Sequence, residues 1–472
     1  MKRLSLYPFA MSVLLCGCAT IPAQVSTVEP SDPAVPLHMA EAATLDLRVA
    51  GETYYGVITL PLEEVRTAVN LGDGREPVSV CLVEGARETC VTVHPDQPQD
   101  LAIRFGGEEK TLVLSYLGPQ ASFSSDYRAA HRGTLDIEVP AAYELVNVAL
   151  ALTPYAIENP GLAAPSPYLD EIRDTFAGHA NHPAVLALDK EMRKDASAYH
   201  SLKMNGAAFV LSDDNILSRS PIYKSTGWGE NDLLPFMNEL QDFAGETGFS
   251  QFYASHVPLY TSQIAYLRND VSVDDMIAWL GMNFPEVAPY DHTRILFSPL
   301  VGYNQSVSTF DRDGFRQLMP HVNFPYPGED DAGLTPEALK LYRGLILFTE
   351  LNHGYINPTI DAYASEIQQA MPRLANWAGD DTARGYGNAS GIFTEMTNWA
   401  LVSVRAHDLL PEAEAEMIAK RVTHIMVNNR GFTRFAQFQE HFLSLTRARA
   451  KGAPVAGVLP ALIAKLPEIE TE

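Results

Sequence analysis

Positive charge is scarce in this chain: 34 Lys and Arg stand against 58 Asp and Glu, a formal net charge of −24. Such a balance repels phosphate backbones and anionic headgroups, so it argues against nucleic acid or an anionic lipid surface as a partner. Cysteine is scarcer still, with four in 472 residues. Two of them, Cys16 and Cys18, sit at the extreme N-terminus, which leaves Cys81 and Cys90 for any folded part. Two thiols alone do not complete a structural zinc site. Past the N-terminus no apolar run approaches the roughly 18 residues that would span a bilayer, so no transmembrane helix is expected. Gly-x-Ser-x-Gly, a phosphate-binding Gly-rich loop and a dinucleotide fingerprint are also missing, which removes three common enzyme chemistries.

What is present begins with an address. Lys2 and Arg3 precede the apolar stretch Leu4 to Leu15, and Leu15-Cys16-Gly17-Cys18 resembles a bacterial lipobox. That resemblance implies a signal peptide over residues 1–17 and a Cys18 that is lipidated on sulfur and acylated on its amine. Several acyl chains anchor a protein stably in a lipid bilayer where one does not. Loss of Lys2 and Arg3 would take the formal charge from −24 to −26. Ala19 in place of Asp after the Cys implies the outer membrane, by analogy with other lipoproteins. Residues 18–42, rich in Pro, Ser, Thr and Ala, read as a tether holding the folded part away from the membrane.

From residue 43 to 141 short runs of alternating apolar and polar residues dominate, separated by Gly51, Gly72-Asp73-Gly74 and Gly106-Gly107. This spacing predicts a β-sandwich-like domain. Within it Cys81 and Cys90 bracket Glu84-Gly85-Ala86, with Val78, Val80, Val91 and Val93 alternating outside them. A hairpin with a cross-strand disulfide is the expectation, suited to a compartment outside the cytoplasm.

From 142 to 472 the periodicity turns helical, so the fold class expected is α+β: a β-rich domain followed by a mostly α-helical one. Thr335 and Pro336 mark a helix start, and Leu339, Tyr342, Leu345 and Ile346 recur at helical spacing. That helix carries Thr349-Glu350-Leu351-Asn352-His353, with Gly354 expected to end it in a left-handed turn. Residues three apart share a helix face, so Glu350 and His353 point the same way. Glu-x-x-His is most of the zinc-peptidase signature His-Glu-x-x-His, in which two His hold the metal and the Glu activates water. Thr349 stands at the first His position, and Thr is a poor zinc ligand. A second helix, from about Ser390 to Leu410, sets Glu395 among Ile392, Phe393, Met396 and Trp399. A buried acid needs a partner, and Arg405 or a backbone N–H would serve.

Asn181-His182-Pro183-Ala184-Val185, Phe252-Tyr253 with His256, Phe297-Ser298-Pro299-Leu300, the Glu350/His353 stretch through Asn357-Pro358, Glu395, Gly431-Phe432 and Leu459-Pro460 occur in this order. As a set, over about residues 142 to 466, they resemble the bacterial family DUF4932, which looks like a group of zincin-type peptidases. The resemblance implies zinc held by His353 and Glu395, Glu350 as general base, and an edge strand near Leu296–Ser298 that takes an extended peptide substrate. It breaks at Thr349, where the family pattern has His, so a third ligand would have to come from His256, His292 or His321. Two functions are open at this point. One is a zinc-dependent peptidase. The other is a zincin-like domain that has lost its metal and binds a peptide or an envelope partner. A glycosidase built on Glu350 and Glu395 lacks the sugar platform it would need.

Overall fold

The computed structural model describes residues 23–24, 35–62, 65–71, 76–95, 97–302, 305–328 and 331–471. The signal peptide and Cys18 lie outside the described residues. Helices and sheets are both present, so the fold is mixed α+β. Among the described residues no helix is long and apolar enough to cross a membrane.

The N-terminal part holds two sheets. One orders Glu52–Thr59, Thr44–Val49, Val78–Glu84 and Arg87–Val93, and the other orders Ala23–Gln24, Arg66–Asn70, Glu108–Ser115, Gln99–Phe105 and Leu37–Met39. Alternating side chains place Leu47, Ile58, Val80 and Leu82 of the first sheet against Val69, Leu101, Ile103 and Leu112 of the second, in one apolar core. Cys81 and Cys90 stand directly opposite each other across the hairpin and form a disulfide. The tether expected over residues 18–42 is shorter than its composition implied, because Leu37–Met39 pairs in parallel with Ala102–Arg104. Within Leu37–Met39, His38 is fully buried, its Nδ1 3.0 Å from Thr89 Oγ1.

The boundary between the two parts also falls earlier than residue 142. Thr134–Glu138, which alternates like the preceding strands, pairs in parallel with His292–Leu296, and Ala121, Phe123, Ile137 and Val139 belong to the C-terminal core. The C-terminal sheet therefore runs Thr134–Glu138, His292–Ser298, Phe315–Asn323, Ser306–Arg312, with only the last strand antiparallel. His292–Ser298 is thus an interior strand with a neighbour on each side, and the expectation of an exposed substrate edge at Leu296–Ser298 is corrected. Its ladder is filled on both sides as far as Leu296, and beyond it Phe297 and Ser298 pair with Val322 and Asn323 and are fully buried.

The helix expected from about Ser390 to Leu410 is Ala389–Leu409, and further helices run over Met237–Thr247, Phe249–Asn269, Val273–Asn283, Glu412–His424, Phe435–Ala448 and Leu459–Thr471. The stretch from Thr335 is two helices, Pro336–Arg343 and Leu345–Asp361. Thr335 accepts from the Ala338 N–H at 3.3 Å as the N-cap of the first. Gly354 does not end the second. A Cβ there would come within 2.8 Å of a Leu318 methyl, so glycine lets the helix lie close on the strand Phe315–Asn323. Glu350 and His353 accordingly sit mid-helix rather than in a last turn.

Candidate functional site

The helix Leu345–Asp361 is buried nearly throughout, packed between the sheet and the helix Ala389–Leu409. Its polar residues are therefore enclosed: Thr349 is 2% exposed, Glu350 6% and His353 2%. Glu395 on the neighbouring helix is 4% exposed. Groups buried to this extent must find their partners inside the protein.

His353 finds them on both nitrogens. Its Nδ1 lies 3.0 Å from Asn357 Oδ1, one turn along the same helix, and its Nε2 lies 2.7 Å from Asn398 Nδ2 on the facing helix. Asn398 is itself oriented, since its Oδ1 accepts from Asn352 Nδ2 at 3.0 Å. An Nδ1–H donating to Asn357 and an Nε2 lone pair accepting from Asn398 describe a neutral imidazole, and burial also lowers the pKa of His353 against the upward pull of Glu395. The Nε2 to Glu395 Oε2 separation is 3.7 Å. The structure thus brings together the two residues expected to grip a metal, with an amide N–H directed at the imidazole nitrogen that would do so.

Glu395 is matched by a cation that is a side chain. Arg430 Nη2 lies 2.5 Å from Glu395 Oε1, and the Trp399 indole N–H donates to the same oxygen at 2.8 Å. Arg430 also donates to the Tyr386 hydroxyl at 2.7 Å, and its guanidinium lies 4.9 Å from the Trp399 ring centre. Its backbone is fixed by the Thr382 hydroxyl, which donates to the Arg430 carbonyl at 2.8 Å. Gly431 follows at φ +73°, and a Cβ there would run into Thr382 Oγ1 at 2.8 Å. Arg405, the partner expected from the sequence, instead lies over the Phe348 ring at 4.9 Å.

The other expected residues are elsewhere. The Thr349 hydroxyl donates to the Ile346 carbonyl of its own helix at 2.7 Å. Lys203 is a fully buried amine that desolvation pushes down to about 7 while the Glu350 charge pulls it up. Lys203 in turn helps hold the buried His321 and His200 neutral, burial being the larger cause for both and His200 falling to about 3. His256 Nδ1 lies 2.9 Å from the Phe252 carbonyl and its Nε2 3.2 Å from Glu171. His292 joins His131 and Asp136. Among the described residues, no group of three ligand atoms within 4.8 Å of one another contains His353, Glu395 or Glu350.

This donor set does not fit zinc as a catalytic site requires. Three protein ligands and an open position are needed; here two ligands meet, one already hydrogen-bonded and the other ion-paired. Arg430 and Asn398, the residues that decide the matter, carry no motif. A further buried acid, Glu144, lies in the apolar helix Ala141–Ala151 and accepts from the Tyr168 hydroxyl at 2.9 Å, with Tyr168 2.7 Å from Tyr260. The signal that singled out Glu395, an acid among apolar neighbours, applies equally to Glu144. Comparison of the chain with protein-family models, with curated proteins and with solved structures found no match.

Proposed function

We propose that this chain is a lipid-anchored bacterial envelope protein whose helical domain is zincin-like in ancestry but no longer hydrolyses peptides, and serves to bind a peptide or envelope partner. One observation carries this: the groups that would hold zinc, His353 and Glu395, are hydrogen-bonded by Asn357, Asn398 and Trp399 and neutralised by Arg430. A guanidinium supplies the positive charge a metal would have supplied, at a carboxylate that is 4% exposed. Thr349, bonded to its own helix, adds no ligand. The acidic net charge of −24 favours a partner with a basic segment.

The test is zinc content of the full-length protein by plasma mass spectrometry, beside a His353→Ala variant. The content is expected to be the same in both, and peptidase activity absent from both. Close to one zinc per chain, lost on His353→Ala, would overturn the proposal and restore the hydrolase. The anchor is tested separately: Cys18→Ala is expected to move the protein from the membrane to the soluble fraction, and continued membrane partition would sink that part.

A further inference from the structure

The fold assembles a second set of ligating side chains, on the far strand pair of the C-terminal sheet. His131 ends the helix Ser125–His131, Asp136 is central in Thr134–Glu138, and His292 opens the adjacent strand His292–Ser298. The parallel register opposes Thr134 to His292, which sets Asp136 and His292 on one face of the sheet, where the helix end delivers His131. Asp136 Oδ2 lies 2.9 Å from His292 Nε2 and 3.4 Å from His131 Nδ1, and the two imidazoles stack with centres 4.8 Å apart. Ligand atoms of all three lie within 4.8 Å of one another.

We infer that these three residues form a binding site for zinc or a similar borderline divalent cation. Zinc bonds of about 2.0–2.2 Å to nitrogen and oxygen put neighbouring tetrahedral ligands roughly 3.3 Å apart. The two contacts to Asp136 Oδ2 bracket that spacing, so little movement separates the present arrangement from a coordinated one. Two imidazoles and one carboxylate select zinc-like ions over magnesium or calcium, which take oxygen ligands. The His292 side chain is 1% exposed, whereas those of His131 and Asp136 are 33% and 44% exposed, so one side of the site opens to solvent.

The shell behind His292 is built to orient it. Gln317 Nε2 lies 2.6 Å from His292 Nδ1 and 3.0 Å from the Tyr127 hydroxyl, while Gln317 Oε1 accepts from the Tyr223 hydroxyl at 2.7 Å. Turning the Gln317 amide over lets its oxygen accept from His292 Nδ1–H and from Tyr127, with its N–H donating to Tyr223. His292 Nε2 then carries a lone pair facing Asp136, 2.9 Å away, ready to take an ion between them, the outer-shell arrangement that metal-bound histidines use. Nearby cations do not compete, because Arg294 pairs with Glu138 and Arg132 with Asp291.

Isothermal titration of the full-length protein in mild detergent with zinc chloride alone, repeated with cobalt followed by visible absorption, tests the site. One zinc per chain is expected. Affinity should fall in His131→Ala and in Asp136→Asn by more than the about 10–100-fold that an outer-shell loss costs, and His353→Ala should bind as wild type does. Both altered side chains are partly exposed, and circular dichroism checks that each variant is folded. No zinc binding, or unchanged affinity in a folded Asp136→Asn protein, would overturn the site and leave the triad a hydrogen-bonded structural cluster. Binding lost in His353→Ala but kept in His131→Ala would overturn this inference and the non-catalytic reading of His353 together.

Discussion

Arg430→Met is expected to lower the free energy of unfolding by about 3–5 kcal/mol, the usual loss when one partner of a buried ion pair is removed. Methionine fills much of the same space and keeps contact with Trp399 and Phe432, so the loss reports charge and hydrogen bonding rather than a cavity. What remains is Glu395, 4% exposed, with the Trp399 N–H on one oxygen and His353 3.7 Å from the other. Adding Glu395→Gln to the same chain removes the orphaned charge and should recover most of the loss. Urea denaturation of the four proteins of that cycle gives the coupling directly. A single-variant loss under about 1 kcal/mol, or strict additivity, would mean that Arg430 does not stand in for a metal at Glu395.

Glu144 produces the second large effect, on the pH dependence of stability. Burial pushes its carboxyl up to about 7 from an ordinary value of 4.5, against the opposing pull of hydrogen bonds from Ser298 and Tyr168. Between those two values the unfolded chain has released the proton and the folded chain still holds it. Folding then takes up a proton, so stability falls as pH rises through this window and levels off above it. Each tenfold in proton affinity is worth about 1.4 kcal/mol, so the total is about 3 kcal/mol. Glu144→Gln keeps an acceptor for the Tyr168 hydroxyl and removes the titration. Its stability relative to wild type is expected to grow by about 3 kcal/mol from about pH 4 to about pH 8. Taking the difference between the two proteins cancels the other titrating groups. A difference that stays flat across that range would show that Glu144 is not held protonated by burial.

Both effects come from residues that resemble each other in the sequence: a single acid inside an apolar helix. In Glu395 the burial is compensated by an arginine and in Glu144 by tyrosine and serine hydroxyls, and only the arginine brings a charge of opposite sign. The distinction between an ion-paired acid and one held by hydroxyls is thus set by which distant segment arrives, not by the helix that carries the acid. The zinc-peptidase signature behaves the same way. Glu350 and His353 are three apart and share a helix, as their spacing requires, but the Glu350 charge acts on the buried Lys203 while His353 is hydrogen-bonded by Asn398 on another helix.

By itself the sequence determined the order of the elements: alternation for the strands, 3.6-residue spacing for the helices, the facing of Cys81 and Cys90 across a short hairpin, and the adjacency of Glu350 and His353. Each of these is a local consequence of backbone geometry, in which spacing along the chain dictates which side chains share a face. Tertiary structure alone decided that Thr134–Glu138 joins the C-terminal sheet, that Arg430 rather than Arg405 neutralises Glu395, that Asn398 takes the free nitrogen of His353, and that His292 meets His131 and Asp136. Those pairings cross from one element to another through loops and shared core. Their selection rests on burial: a desolvated charge or polar group accepts whichever partner the packing delivers, at any separation in sequence.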